Sequence, residues 1–505
     1  MSQVLDNDAL ESSSVNAELD KIRNFKGPYP KQLIYLFFSE MWERFCFYGM
    51  RGMLTVFMID KVIGLGMSEE TANLQYGATQ AFVYAFTFIG GLFADKILGF
   101  RKSLFWGGLL MIAGSLILAF NPKDWFFIGI SFTIVGTGFF KPNISTMVGA
   151  LYKDGDSRRD SGFSLFYAGI NLGALLGGYA CVTIASAYSW NLAFGLAAIV
   201  MTISLLTFIF TQRTLGPIGL VPKGMEGKKA FEYATYIGSL LCIPLLMVMV
   251  AKTEYTDWFM YTIGPVTLIY LFYEMRKYSK IEREKLLAAL VFILFSILFW
   301  AFFEQSGGSL NIFASNNLKD NLFGVTVNPN GVNNSANSFF VIAFAALVGL
   351  VWTAMSRRKI EPNTLVKFGL GFIFLSGAFY VFYSTRFFAD ASGKTSLEVF
   401  TLAYLVITFG ELCLSPIGLS IMTKLSPQPL QGMMMGMWFL ASAYGQYVAG
   451  LLGAGMTSPD KNATASVKLI SYTDGYMQLS IYAIIAGIVL IAISPFVRKL
   501  MHDVK

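Results

Sequence analysis

Runs of about twenty mostly apolar residues dominate this chain, and each is long enough to cross a bilayer as a helix. They lie near 33–59, 72–98, 103–120, 125–149, 160–185 and 190–212, then 230–251 and 256–274, then 286–314, 336–355, 366–386, 397–423, 431–455 and 475–497. That is fourteen expected spans in an order of six, two and six, and an even number puts both ends of the chain on one side. Composition agrees. Hydrophobic residues make up 55% of the chain and charged residues only 14%, against roughly 25% charged in an average soluble domain. Lipid is therefore the expected solvent for much of the surface, and disordered, collagenous and disulfide-scaffold classes are excluded.

The net charge of +7 does not point to nucleic acid, because the basic residues sit between the apolar runs. With the N-terminus inside, the inside segments hold 27 Lys and Arg and the outside segments 8, with Arg44, Arg51 and Lys141 at membrane depth. This bias predicts cytoplasmic termini. Residues 1–30 are polar and contain no cleavable-signal run, so the first apolar segment is expected to stay as a span. The predicted organisation is a cytoplasmic tail over 1–30 and a six-helix bundle over 31–212. A linker with two extra spans follows over 213–284, then a second six-helix bundle over 285–500 and a cytoplasmic tail over 501–505. Two six-helix halves around a midplane site are the layout of many secondary transporters. No GxxxxGK[ST] loop is present, which argues against ATP as the energy source. Cys46, Cys181, Cys242 and Cys413 all lie in apolar runs and read as packing thiols. The single histidine, His502, lies in the C-terminal tail, so a His-based catalytic or metal site is not expected. Nor is an enzyme, since no metal cluster or nucleophile–base pair is evident.

Seven ionisable residues fall inside the spans: Glu40, Glu43, Arg44, Arg51, Lys141, Glu304 and Glu411. At roughly 2.5–3.5 kcal/mol each if lipid-exposed, they must face a protein-lined cavity. Structural ion pairs would explain part of the set. Four acids against three bases leave a surplus carboxyl, a natural proton carrier. At 100° per residue, positions 40, 43, 44, 47, 48 and 51 share one face of the first helix, with Cys46 pointing away. The first half holds a formal +1 and the second a formal −2. A cavity between the halves would suit a zwitterion, its carboxylate toward the first half and its ammonium toward the second.

The motifs are then recognisable. Glu40-Met-Trp-Glu43-Arg44-Phe45 resembles the ExxERF motif of the proton-dependent oligopeptide transporters, a branch of the major facilitator superfamily. Gly136-Thr-Gly-Phe-Phe-Lys141-Pro142-Asn143 is similar to that family's fourth helix, and Phe163 through Asn171 and Gly173 to its fifth. Gly91 to Asp95 and Lys96, with Gly99, Arg101 and Lys102, resembles the superfamily's loop between helices two and three. Trp300 through Glu304-Gln305 and Gly410-Glu411 to Ser415-Pro416 resemble the seventh and tenth helices. The likeness runs from about 27 to 500, and the inserted pair is similar to that of bacterial 14-helix members.

The resemblance implies an all-α integral membrane protein of the major facilitator fold that imports di- and tripeptides by proton symport. It implies no cofactor beyond the proton gradient, with the peptide, protons and the lipid bilayer as partners and a bacterial inner membrane as the place. Protons would move through Glu40 and Glu43, with Arg44 and Lys141 answering, and Glu304 would titrate or pair with Arg51. Arg44, Arg51 and Lys141 would take the peptide carboxylate, flanked by Tyr48 and Tyr84. Glu411, with Ser415 one turn on, would take the ammonium. Asn171 and Asn337 would bond the peptide backbone, although Asn171 can equally be a helix–helix hydrogen bond. Trp300, Trp438 and Phe439 would shape side-chain pockets. Arg51 with Glu304, and Asp95 with Arg101, would act in gating. Phe47 stands where many members have Tyr, and Asn337-Ser338 where many have Asn-Pro. The alternative is a same-fold proton-coupled carrier of another zwitterion or anion, such as an amino acid or nitrate.

Overall fold

The computed structural model describes residues 15–153, 155–414, 419–460 and 463–504. Among them, fourteen helices have 18 residues or more. They are α1 (Lys31–Ile59), α2 (Glu69–Phe93), α3 (Phe100–Phe120), α4 (Phe126–Ala150), α5 (Arg158–Ala187), α6 (Trp190–Thr211), α7 (Lys229–Ala251), α8 (Thr253–Met275), α9 (Lys280–Phe303), α10 (Pro329–Arg357), α11 (Thr364–Ser384), α12 (Leu397–Leu414), α13 (Gln431–Gly455) and α14 (Ala465–Met501). Ten are long and apolar enough to cross a membrane by length and composition alone. The other four are α1, α4, α8 and α13. Charges interrupt α1, Lys141-Pro142-Asn143 interrupts α4, acids mark α8, and small and polar residues dilute α13. The only strands among the described residues are Asn321–Leu322 and Val325–Thr326, an antiparallel hairpin whose two-residue turn needs positive φ at Phe323 and Gly324.

By contacts the chain forms two compact units, and the division cuts through α1, α2, α5 and α7. The first unit is Met1–Gly49, Phe86–Gly177 and Asn191–Met247. Its core gathers Leu33, Leu36 and Cys46 of α1 with Met111, Phe140, Ile144, Met147, Met201 and Phe208. Lipid gives no hydrophobic drive between helices, so small residues set how closely they pack. A Cβ on Gly90 would fall on the Gly138 carbonyl, and one on Gly177 on the Phe45 carbonyl. Gly99, at φ +75°, lies against the Leu220 backbone, which bars a side chain twice over. Residues 15–23, read from sequence as tail, form a helix that packs Leu19 and Ile22 on this core, followed by Phe25 and Tyr29. Arg158 fixes the segment, donating to the Phe25 carbonyl at 3.1 Å with its guanidinium 3.9 Å from that ring's centre. In this unit α7 packs on α3: Trp106 Nε1 donates to Ser239 Oγ at 2.9 Å, and Lys102 pairs with Glu232 at 2.6 Å.

The second unit is Met50–Ala85, Gly178–Trp190 and Val248–Lys505. It packs the rest of α1 and α2 with α8 through α14. A Cβ on Gly178 would lie 2.6 Å from the Asn334 carbonyl, so α5 meets α10 backbone to backbone there. None of the four cysteines is in a disulfide; Cys46, Cys181 and Cys413 are buried and Cys242 partly so.

Asp60, just past α1, ties its loop to Trp190, whose Nε1 donates at 2.8 Å. Partial burial raises its pKa, but the bonds from Trp190 and from the N–H groups of Val62, Ile63 and Gly64 outweigh that and hold it below the ordinary value of 3.8. A depressed carboxyl stabilises the fold above its unfolded pKa and ceases to do so as pH falls through the folded value. Asp60→Ala is therefore expected to destabilise the protein by roughly 1 kcal/mol at pH 7. In detergent, the gap in melting temperature from the parent protein should close as pH drops toward 3. A gap that persists at low pH would show that the carboxylate charge is not the cause.

Candidate transport site

In the first unit, α1 presents Glu40, Glu43, Arg44, Phe47 and Tyr48 on one face. Glu40 is 2% exposed, Glu43 0% and Arg44 2%. Arg44 Nε donates to Glu43 and lies 3.1 Å from Glu40 Oε1. One guanidinium thus serves two carboxylates, and Glu40 Oε2, Glu43 Oε1 and Arg44 Nη2 have no hydrogen-bond partner among the described residues. The Phe47 ring centre lies 5.2 Å from the Arg44 guanidinium and 6.0 Å from Lys141 Nζ on α4. A bare phenyl face attracts both. Behind Arg44, Gly173 of α5 lets the backbones close: a Cβ there would come 2.9 Å from that of Arg44. Asn171, also on α5, spends its amide on the Tyr167 carbonyl of its own helix at 3.0 Å.

In the second unit, Arg51 of α1 pairs with Glu304. Arg51 Nε also donates to Tyr76 Oη at 2.6 Å, and its Nη2 to Ser306 Oγ at 2.9 Å. Glu304 is only 5% exposed. It owes its position to a break. The span expected over 286–314 is not one helix: α9 stops at Phe303, a 3₁₀ turn covers Glu304–Gly307, and a new helix runs Ser309–Asn317. Gly307 sits against the Tyr76 hydroxyl where no side chain fits, and broken helices are tolerated at membrane depth only inside protein.

Around the break lies a set of asparagines, of which Asn311, Asn330 and Asn333 are buried and Asn334 is half-buried. Asn311 Nδ2 donates to the Gly52 carbonyl at 2.8 Å and to Thr55 Oγ1 at 2.9 Å. Its Oδ1 receives the amides of Asn330 and Asn334, each at 2.9 Å, and of Asn333 at 3.2 Å. Asn333 donates to the Ser306 carbonyl at 2.8 Å and accepts from Tyr404 at 2.7 Å. Tyr76, Ser306, Asn311, Asn333 and Tyr404 are not among the residues expected from the sequence. The signal was there: Asn330, Asn333, Asn334 and Asn337 recur at i, i+3, i+4 and i+7 on α10.

Asn337 lies one turn beyond, and its amide donates to Glu411 Oε2 at 2.8 Å and to Thr408 Oγ1 at 3.2 Å. Ser415 lies outside the described residues. Trp300 packs edge-on with Phe299 and Phe303, and Trp438 and Phe439 are half-buried on α13. Tyr84 packs against the buried cluster of Ala81, Met260, Ala443 and Tyr447. Asp95 and Arg101 are not brought together. Arg101 instead holds the loop after α6, donating to the Ile218 carbonyl at 2.8 Å and to that of Gly216. The nearest cation to Asp95 is Lys96, at 3.9 Å and largely in solvent. The Arg101 guanidinium is thus committed to backbone carbonyls of that loop, while Asp95 stays in solvent.

Apolar helices enclosing buried acids and bases define a multi-pass membrane protein. The profile described as PTR2, the POT family, matches residues 101–469, and the chain belongs to that family. The peptide transporter YePEPT of Yersinia enterocolitica is 33% identical, covering 95% of this chain and 97% of its own. The di-/tripeptide transporter of Lactococcus lactis subsp. cremoris is 32% identical, covering 94% and 97%. A crystal structure of a mutant of peptide transporter POT in complex with alafosfalin superimposes with a TM-score of 0.82 at 33% identity, covering 97% of this chain and 99% of that one.

The Arg51–Glu304 pair invites a double-mutant cycle. Arg51→Glu or Glu304→Arg alone puts like charges together in a buried site and should destabilise by roughly 3–5 kcal/mol. The combined swap restores opposite charges and should recover part of that loss in thermal unfolding. Additive losses would show that the two residues do not act on one another.

Proposed function

We propose that this protein is a proton-coupled importer of di- and tripeptides that works by alternating access. It would sit in a bacterial inner membrane with both termini cytoplasmic, driven by the proton gradient without a cofactor. The observation that carries the reading is the two-acid, one-guanidinium cluster of Glu40, Glu43 and Arg44. A second negative charge there, almost out of reach of water, is relieved when either carboxyl takes a proton. Lys141, across the Phe47 ring, is placed to feel that change. Its relatives include a dipeptide and tripeptide permease and a di-/tripeptide transporter, which supports this substrate class.

In this reading Arg44, Arg51 and Lys141 receive the peptide carboxylate, with Tyr48 and Tyr84 flanking. Glu411 receives the ammonium, held in aim by the Asn337 amide, with Ser415 nearby. Asn171, Trp300, Trp438 and Phe439 contact the body of the peptide. Arg51 and Glu304, drawn together beside Tyr76 and Ser306, form the closed state of the gate on the 59–69 side, which the charge bias makes the outside. The chain-order organisation, two six-helix halves with α7 and α8 inserted, goes with the same reading.

Glu411 offers the sharpest test. A charge-assisted hydrogen bond to a buried carboxylate contributes roughly 1.5–3 kcal/mol, about ten- to hundredfold in affinity. Glu411→Gln should weaken binding of a free-amine dipeptide by that factor and hardly change binding of its N-acetylated analogue. The measurement is competition binding of both ligands to the two proteins in detergent. Equal losses for the two ligands would remove the ammonium site from Glu411.

A further inference from the structure

The inserted helices have no part in the site, yet α8 is firmly placed. In the second unit it lies across two helices from opposite halves of the chain. On one flank is α2: Gln75 Nε2 donates at 3.1 Å to the carbonyl of Ala251, the last residue of α7 just before α8, and Phe82 meets Phe259 with ring centres 5.6 Å apart. On the other flank is α13: Tyr447 donates to Asp257 Oδ1 at 2.6 Å, and the Tyr444 hydroxyl to the Met260 carbonyl. Met260 is buried between the flanks, in one cluster with Ala81 of α2 and Ala443 and Tyr447 of α13. Elsewhere along these helices α2 and α13 touch directly. A Cβ on Gly77 would come 2.7 Å from the Gly450 Cα.

We propose that α8 is a strap that joins α2 to α13 and weights alternating access toward the state closed on the 59–69 side. The inference rests on the transport reading above. Opening that side requires α2 to part from α13, because their backbones meet at Gly77 and Gly450. The strap cannot follow both helices. Its own two hydrogen bonds to α13, against one ring contact to α2 and a bond made through Ala251 just before it, imply that it stays with α13 and parts from Gln75 and Phe82. Every contact it loses then favours the closed state, since a two-state equilibrium shifts by the difference in contacts between its states. Carriers of this family without the inserted pair would lack this bias.

The test is a spin-label distance measurement on the full-length protein. Labels go on Val62→Cys, in the loop after α1, and Val325→Cys, in the hairpin before α10; these positions are 84% and 63% exposed. Cys242, the one native cysteine that is not fully buried, is replaced by Ser. Combining Gln75→Ala with Phe82→Ala should raise the ratio of long to short distances about tenfold, the effect of losing one hydrogen bond and one aromatic contact. Tyr447→Phe, on the flank that α8 keeps in both states, should leave it unchanged. Trp258→Ala, on the 72% exposed face of α8, should leave it unchanged. A ratio that stays at the parent value when Gln75→Ala and Phe82→Ala are combined overturns the proposal, as does an equal shift in Tyr447→Phe or Trp258→Ala. Dipeptide accumulation by the parent protein is measured alongside. Its absence would sink the transport reading, whereas accumulation with unmoved distances would sink only the strap.

Discussion

A charge inside an apolar helix has to be answered by the protein, because lipid offers it nothing. The rest of this structure follows from that constraint. Glu40 and Glu43 are tolerable because Arg44 stands one turn and one residue away on the same helix. Arg51 is tolerable because Glu304, Tyr76 and Ser306 converge on it. The two clusters solve the problem differently. The second is balanced, with partners for each of the guanidinium's contacts. The first carries more acid than base and leaves buried oxygens without donors. In the proposed cycle the balanced cluster serves as a latch and the unbalanced one as the proton site.

Neutral polar groups obey the same rule. The break after Phe303 frees backbone groups and brings Glu304 to its partner, and Asn311 spends its whole amide repairing the surroundings. An asparagine can give and accept at once, which suits a junction where α1, the broken helix and α10 all present unpaired groups. Glycines do the complementary work, letting α2 reach α4, α1 reach α5, and α2 reach α13 without side chains between them. Packing between spans is therefore set by what is missing from the helices as much as by what they carry.

Much of this was legible in the sequence. Apolar runs placed most of the long helices to within a few residues, since a helix in lipid must satisfy its backbone along its whole length, but α10 begins at Pro329 and α14 at Ala465, well before the expected 336 and 475. Helical spacing put Glu40, Glu43, Arg44 and Phe47 on one face and turned Cys46 into the core. What the sequence hid was partnership over long separations. The apolar runs on either side of Glu304 merged into one expected span over 286–314, although Gln305-Ser306-Gly307-Gly308-Ser309 marks the break. The repeat of asparagines on α10 was visible, but charges drew attention first. Arg101 looked like a partner for Asp95, and only the folded loop after α6 shows the carbonyls it prefers. The docking of residues 15–23 rests on a few apolar side chains in a stretch whose average is polar.

The central claim is that a carboxyl of the Glu40/Glu43 pair carries the coupling proton. Glu40→Gln and Glu43→Gln, singly and together, fix the neutral state while keeping side-chain size. In proteoliposomes under an imposed proton gradient, the account predicts that the double variant loses gradient-driven dipeptide accumulation. At least one single variant should lose it too, while still exchanging labelled dipeptide when no gradient is applied. Undiminished accumulation by the double variant would contradict the account.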